Sequence, residues 1–214
     1  MVILEAKNIS YKYGKGRLVL KGLNISFEKG KVYALLGESG AGKTTFLSLL
    51  AGLDTCNDGE ILYNGEDLKA INRDRYRAKN IGMIFQQFNL LHRFNAVENV
   101  QMAMEISKYK IKNSRQYVEG LLDGLGISGD KSRRKVIELS GGEQQRVAIA
   151  RAISHQPEII LADEPTGSLD ETNQTAIIDN LVKLAKNDNK CVIISTHSRE
   201  VAESADMAFE IVRC

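Results

Sequence analysis

Residues 37 to 44, Gly37-Glu38-Ser39-Gly40-Ala41-Gly42-Lys43-Thr44, have the spacing G-x-x-x-x-G-K-[ST], a set of residue types suited to holding a phosphate. Glycines let backbone wrap closely round an anion, and their N–H groups together with a following helix N-terminus meet its negative charge. Lys43 adds a mobile cation, and the Thr44 hydroxyl is placed to ligate Mg²⁺. The loop and the neighbouring Thr45 are therefore candidate nucleotide-binding residues. A second stretch, Glu158-Ile159-Ile160-Leu161-Ala162-Asp163-Glu164, is an apolar run that ends in two carboxylates. Side chains alternate along a strand, so the two are expected to point in opposite directions and to do different work. Asp163 is the candidate for holding Mg²⁺ through water, and Glu164 the candidate base for an attacking water. A third, Leu139-Ser140-Gly141-Gly142-Glu143-Gln144-Gln145-Arg146, opens an amphipathic stretch, and Ser140 with Glu143 has the S-x-x-E spacing of a capping box. A cap alone does not need two helix-weakening glycines. Gly141 and Gly142 thus point either to a bare cap or to close approach of an anion at that helix N-terminus.

These residues need elements to position them. Val32 to Leu36 is an apolar run too short for a helix; it precedes the glycine loop, and a helical run from Thr44 to Leu53 follows, giving strand, loop, helix. Residues 2 to 10 and 19 to 27 alternate as strands with a turn at Glu28 to Lys31, and further short strands fit 59 to 63 and the IGMIF segment. Helical spacing appears at 97 to 107, 114 to 125 and 141 to 154. The unbroken runs Ile159 to Ala162 and Val192 to Ser195, with a helix near 171 to 186 between them, fit parallel strands buried on both faces. The fold class is α/β.

Composition excludes several alternatives. A chain of 214 residues with 43% hydrophobic and 26% charged residues has enough apolar surface for one core and is too apolar to be disordered. The net charge of +2 gives no broad polyanion signature, so an anion is bound locally and no nucleic acid partner is expected. Three cysteines in no CxxC pairing argue against a disulfide framework or a zinc site, and fit a reducing compartment. Apolar runs long enough to span a bilayer are missing, so any membrane association is expected to be peripheral.

The three motifs together resemble the nucleotide-binding subunit of ATP-binding cassette (ABC) transporters over essentially the whole chain. The resemblance implies a P-loop ABC ATPase fold: a parallel core sheet, an N-terminal antiparallel β subdomain and an inserted helical subdomain. It makes residues 1–214 a single ATPase domain, with a core of 1–87 and 156–214 and helices at about 88–155. ATP and Mg²⁺ are the implied ligands. It further implies a head-to-tail dimer with a second copy, in which Ser140, Gly141 and Gly142 complete the partner's ATP site. Residue by residue, Gln86 at the end of IGMIFQ is similar to the glutamine that contacts Mg²⁺ and the attacking water. His197 after VIIST looks like the histidine that touches the γ-phosphate, and Asp170 in GSLD resembles the loop crossing the dimer interface. Tyr13 looks like the aromatic that stacks on adenine, with Tyr11 two residues away as the competing choice.

IFQQFNLL and LADEPTGSLD resemble the subfamily that includes MacB, LolD and FtsE, which serve permeases with few membrane helices and a large extracytoplasmic domain. An integral membrane permease at the cytoplasmic face of the cell membrane is the implied partner. Its coupling helix is expected to dock between Gln86 and Asn99, with Phe88, Leu90, Leu91 and Phe94 as an apolar floor or as core. A soluble ABC ATPase acting on nucleic acid or ribosomes is the alternative. The tail after His197 lacks the extension of importer-type subunits, so regulation through such an extension is not expected. Two basic groups, Lys108 to Arg115 and Lys131 to Lys135, fit a solvated helix face or a surface near anionic lipid.

Overall fold

The computed structural model describes residues 1–14, 16–167 and 171–214. Its strands are β1 (Val2–Lys12), β2 (Leu18–Glu28), β3 (Val32–Leu36), β4 (Asp58–Tyr63), β5 (Glu66–Asp67), β6 (Ile81–Ile84), β7 (Ile159–Asp163), β8 (Cys191–Thr196) and β9 (Met207–Glu210). Its α-helices are α1 (Lys43–Leu50), α2 (Arg73–Asn80), α3 (Ala96–Ser107), α4 (Ser114–Gly124), α5 (Asp130–Arg133), α6 (Gly141–Ile153), α7 (Glu171–Lys186) and α8 (Arg199–Glu203). The strands form two sheets. One is antiparallel in the order β2-β1-β4-β5, and the other is parallel in the order β6-β7-β8-β3-β9.

Burial explains the two patterns. Every residue of β7 and of β8 is buried, as a central parallel strand covered on both faces must be. On one face, Leu35, Leu161, Cys191 and Ile193 pack with α1 and with the antiparallel sheet through Phe27, Phe46 and Leu50. On the other, Ile160, Val192 and Ile194 pack with Ile149 of α6 and with Ile177 and Leu181 of α7. A third cluster is helical, built from Val97, Val100 and Met104 of α3, Val118 and Leu122 of α4, and Val147 and Ala150 of α6. Helix α6 thus belongs to two cores and ties the helical layer to the parallel sheet. Cys56 and Cys191 are buried fillers, and burial pushes the Cys191 thiol up to about 12, well away from reactivity.

Several elements carry no periodic signal. Helix α2 buries only Tyr76, leaving no apolar stripe to read, and its start is set by the Asn72 side chain accepting from the Arg75 N–H. Strand β9 is a short edge that adds in parallel to β3. The cap of α6 has the expected form: Ser140 Oγ accepts from the Glu143 N–H at 3.3 Å, and the Glu143 carboxylate accepts from the Ser140 N–H at 2.9 Å. Lys131 reaches Glu143 at 2.8 Å, and together with that backbone bond it holds the carboxyl down to about 2. One member of the second basic group is therefore paired within the chain while its side chain stays exposed.

Arg151 of α6 holds the chain that leaves β6. Phe88 and Asn89 are consecutive residues in the left-handed region (φ 58° and 49°), costly for a bulky side chain. The guanidinium donates to both of their carbonyls, to Phe88 at 2.8 Å. We expect Arg151→Ala to lose about 2 kcal/mol, from two charge-assisted bonds and the strain they hold, and to lower Tm by roughly 4–8 °C. Arg151→Lys, a point charge that cannot span the pair, should recover only part of it in thermal unfolding. An unchanged Tm in the alanine variant would contradict this clamp.

Candidate functional site

The glycine loop connects β3 to α1, and its shape is dictated by crowding. A Cβ at Gly37 would lie 2.4 Å from the Ile211 carbonyl oxygen, because the segment after β9 crosses directly over the loop. Gly42, the N-cap of α1, has φ 104°, and a Cβ there would meet Leu20 at 2.8 Å. Neither position admits a side chain, so the backbone itself faces the cleft at the positive end of α1.

Lys43 opens that helix, and its ammonium is buried, with 6% of the side chain exposed. Its Nζ donates to the carbonyls of Gly37 at 2.8 Å and Glu38 at 3.1 Å, and it lies 3.2 Å from Glu164 Oε1. The other carboxylate oxygen of Glu164 is 2.7 Å from His197 Nδ1. Beside this triad the Thr44 hydroxyl donates to Asp163 Oδ1 at 3.0 Å, and Ser195 Oγ donates to the same oxygen at 2.6 Å.

The expectation that Asp163 and Glu164 would point oppositely is corrected. Glu164 leaves the strand with φ 45°, and its N–H donates to the carbonyl and hydroxyl oxygens of Ser195, each at 3.1 Å. That left-handed turn swings its carboxylate to the same side as Asp163, so that the two engage the adjacent residues Lys43 and Thr44. In the sequence Ser195 was read only as the end of a buried strand, with no role in the site. The β7 to β8 register pairs it with Asp163, so the hydroxyl two residues before His197 was the available signal.

Tyr13 is 59% exposed and borders the same cleft, its hydroxyl sharing a hydrogen bond of 3.0 Å with Thr45 Oγ1. Tyr11 is buried and donates to Asp54, a bond that pushes its phenol up to about 12. It supports Tyr13 edge-on, with the rings 4.9 Å apart. Of the two tyrosines, Tyr13 is the one free to receive a ring. The cleft has a volume of about 680 Å³ and is lined by Tyr13, Val19, Glu38, Ser39, Gly40, Gly42, Lys43, Thr44, Thr45, Gln86, Glu164 and His197. Val19, on β2, has no motif to announce it.

Ser140, Gly141 and Gly142 lie away from this lining, at the start of α6. Gly141 is open, with nothing within 4 Å of a Cβ built there, whereas one on Gly142 would meet the Asn173 side chain at 2.9 Å. The two glycines therefore have different surroundings, and the requirement at Gly142 has a local cause. Asp170 lies outside the described residues. Of the apolar residues after β6, Leu90 is core, Phe88 and Phe94 are half-buried, and Leu91 is exposed. Asn99 fastens their loop, accepting from the Leu91 N–H at 2.8 Å and donating to the Asn95 carbonyl at 2.9 Å.

The profile of the ABC transporter family matches residues 20–167. An uncharacterised ABC transporter ATP-binding protein of Bacillus subtilis, YclH, is 42% identical over 214 residues, covering 100% of this chain and 95% of its own. The lipoprotein-releasing system ATP-binding protein LolD of Francisella tularensis is 39% identical, covering 99% and 94%. Among solved structures, the dimeric post-hydrolysis state of the ATP-binding cassette MJ0796 bound to ADP and Pi superposes with a TM-score of 0.90 at 32% identity, covering 98% of this chain and 94% of that one. The family match takes in the glycine loop, the strand end that supplies both carboxylates and the capped start of α6, and the chain belongs to the ABC transporter family as an ATP-binding ATPase subunit.

Proposed function

We propose that the chain binds ATP in the cleft beside Lys43 and hydrolyses it with Glu164 as general base, in a head-to-tail dimer that drives a membrane permease. The observation that carries this reading is the triad against the glycine loop, in which buried Lys43 and largely buried Glu164 are joined by the exposed His197. Adenine stacks on Tyr13, the loop from Gly37 to Thr45 surrounds the phosphates, and the α1 N-terminus faces their charge. A nucleotide phosphate is the natural anion to replace Glu164 on the Lys43 ammonium. Transfer of Lys43 to phosphate leaves the Glu164 carboxylate free to take a proton from the attacking water, and Lys43 then stabilises charge on the transferring oxygens. His197 stays within reach of that carboxylate and orients it toward the γ-phosphate, while Gln86 reports from the cleft edge.

The Thr44 hydroxyl and the Asp163 carboxylate fit Mg²⁺. They are hard oxygen donors 3.0 Å apart, and this ion takes only one or two protein ligands beside phosphate oxygens and water. Bound there, Mg²⁺ would supply charge neutralisation at the phosphates.

Ser140 and Gly141 stand outside the cleft with an open face. A second copy would supply them to the ATP of the first; that the similar MJ0796 cassette is dimeric supports a dimer. The permease is proposed to be of the MacB/FtsX kind, an exporter or mechanotransmitter of a peptide, lipoprotein or drug-like substrate; the LolD relatives, ATP-binding proteins of lipoprotein-releasing systems, support this. The chain would sit at the cytoplasmic face of the membrane through that permease; no helix among the described residues is long and apolar enough to cross a membrane. Exposed Leu91 and half-buried Phe88 and Phe94 would receive its coupling helix.

Two experiments test the site. Glu164→Gln should lower kcat by roughly 10²–10⁴-fold and give an ATP-bound dimer in light scattering at saturating ATP and Mg²⁺. Retained turnover would remove Glu164 as base, and a monomer would remove the shared site. Tyr13→Ala should weaken ATP roughly 5- to 150-fold, the worth of one base stacked on an aromatic ring, with Tyr13→Phe nearly unaffected in a fluorescence titration. Equal affinity in the alanine variant would move the adenine elsewhere.

A further inference from the structure

We propose that Asn173 is a positioning residue: its carboxamide locks the N-terminus of α6 to the start of α7, and this contact within the chain is what demands glycine at 142. The proposal rests on the dimer reading for its consequence but not for the contact itself. A Cβ on Gly142 would lie 2.9, 3.1 and 3.3 Å from Asn173 Oδ1, Cγ and Nδ2, so the whole carboxamide lies against the backbone at that point. Arg146, one helical turn along the same face of α6, donates from Nη1 to that Oδ1 at 3.0 Å. Gln145, which is fully buried, donates from Nε2 to the Pro165 carbonyl at 2.8 Å.

Helix α6 therefore grips both ends of the connection that runs from Glu164 to α7. Pro165 directly follows Glu164, and on the same connection a Cβ at Gly167 would stand 3.4 Å from Gln86 Nε2. One face of the α6 N-terminus is closed by Asn173, and the other, at Ser140 and Gly141, is open. A phosphate arriving on the open face pushes on a helix end that cannot move without moving Asn173 and Pro165. The base in one site thereby feels the occupancy of the site that its own α6 completes.

The test is a double-mutant cycle at 142 and 173, read in two ways. In the ATP-free monomer, Gly142→Ala should lower Tm by roughly 3–8 °C in the parent chain, and by under about 1 °C in a chain that already carries Asn173→Ala. Equal losses in the two backgrounds would overturn the contact, whatever the dimer does. In the Glu164→Gln chain, Asn173→Ala should weaken ATP-driven dimerisation about 5-fold or more while ADP affinity stays within about 2-fold. With Glu164 present it should lower kcat and the Hill coefficient with KM little changed, a split that loosened packing alone does not give. Gly142→Ala should abolish dimerisation while Asn173 is present, and adding Asn173→Ala should restore it at least in part. Dimerisation at the parent level in Asn173→Ala, or no restoration in the double variant, would overturn the positioning role. A Glu164→Gln parent that fails to dimerise at all would overturn the dimer reading, with the melting cycle still deciding the contact.

Discussion

An ammonium group with so little solvent contact as that of Lys43 has to be paired, since leaving a buried charge without its partner costs roughly 3–5 kcal/mol. In this molecule the pairing is done by two loop carbonyls and by Glu164. Much of the local architecture follows from bringing those groups within reach. The loop curls tightly because Gly37 and Gly42 have no room for side chains, α1 begins at the lysine itself, and Glu164 takes a left-handed turn at the end of β7. The same carboxylate is shared with His197, which arrives from the end of β8. The site is thus a set of strand ends from one parallel sheet, where ligands of such sheets characteristically bind.

The same pairing supplies a mechanism. In the proposed function, a base that neutralises the phosphate-binding lysine would be idle until a phosphate took its place, so nucleotide arrival and release of the base would be one event. Ser195 and Thr44 meanwhile hold Asp163 in position through a single oxygen, independent of that exchange. Helix α6 extends the arrangement outward. It belongs to two hydrophobic clusters, clamps the chain leaving β6 through Arg151, and reaches the connection after Glu164 through Gln145 and Arg146. Motion imposed on the helical layer has a direct mechanical path to the strand end that carries Asp163 and Glu164.

Much of this was legible in the sequence because the informative residues obey simple constraints. Buried parallel strands read as unbroken β-prone runs, the glycine loop follows one of them, and Ser140 with Glu143 spells a cap. What was hidden had no local signature. Helix α2 buries a single tyrosine, β9 is an edge strand of four residues, and Val19 enters the cleft only through the pairing of β1 with β2. The alternation rule failed at Glu164 because φ is positive there, and that departure from strand geometry is what makes the two carboxylates neighbours. Gly142 was open to two readings, a bare cap or close approach of an anion, and its surroundings also include Asn173 from a helix well removed in sequence.

Whether Lys43 exchanges Glu164 for phosphate is decided by an experimental structure of the wild-type chain with ADP. Nζ should lie in hydrogen-bond contact with the β-phosphate and be withdrawn from the Glu164 carboxylate, with His197 still beside that carboxylate. A structure in which the nucleotide occupies the cleft while Lys43 keeps its contact with Glu164 and makes none with phosphate would contradict it.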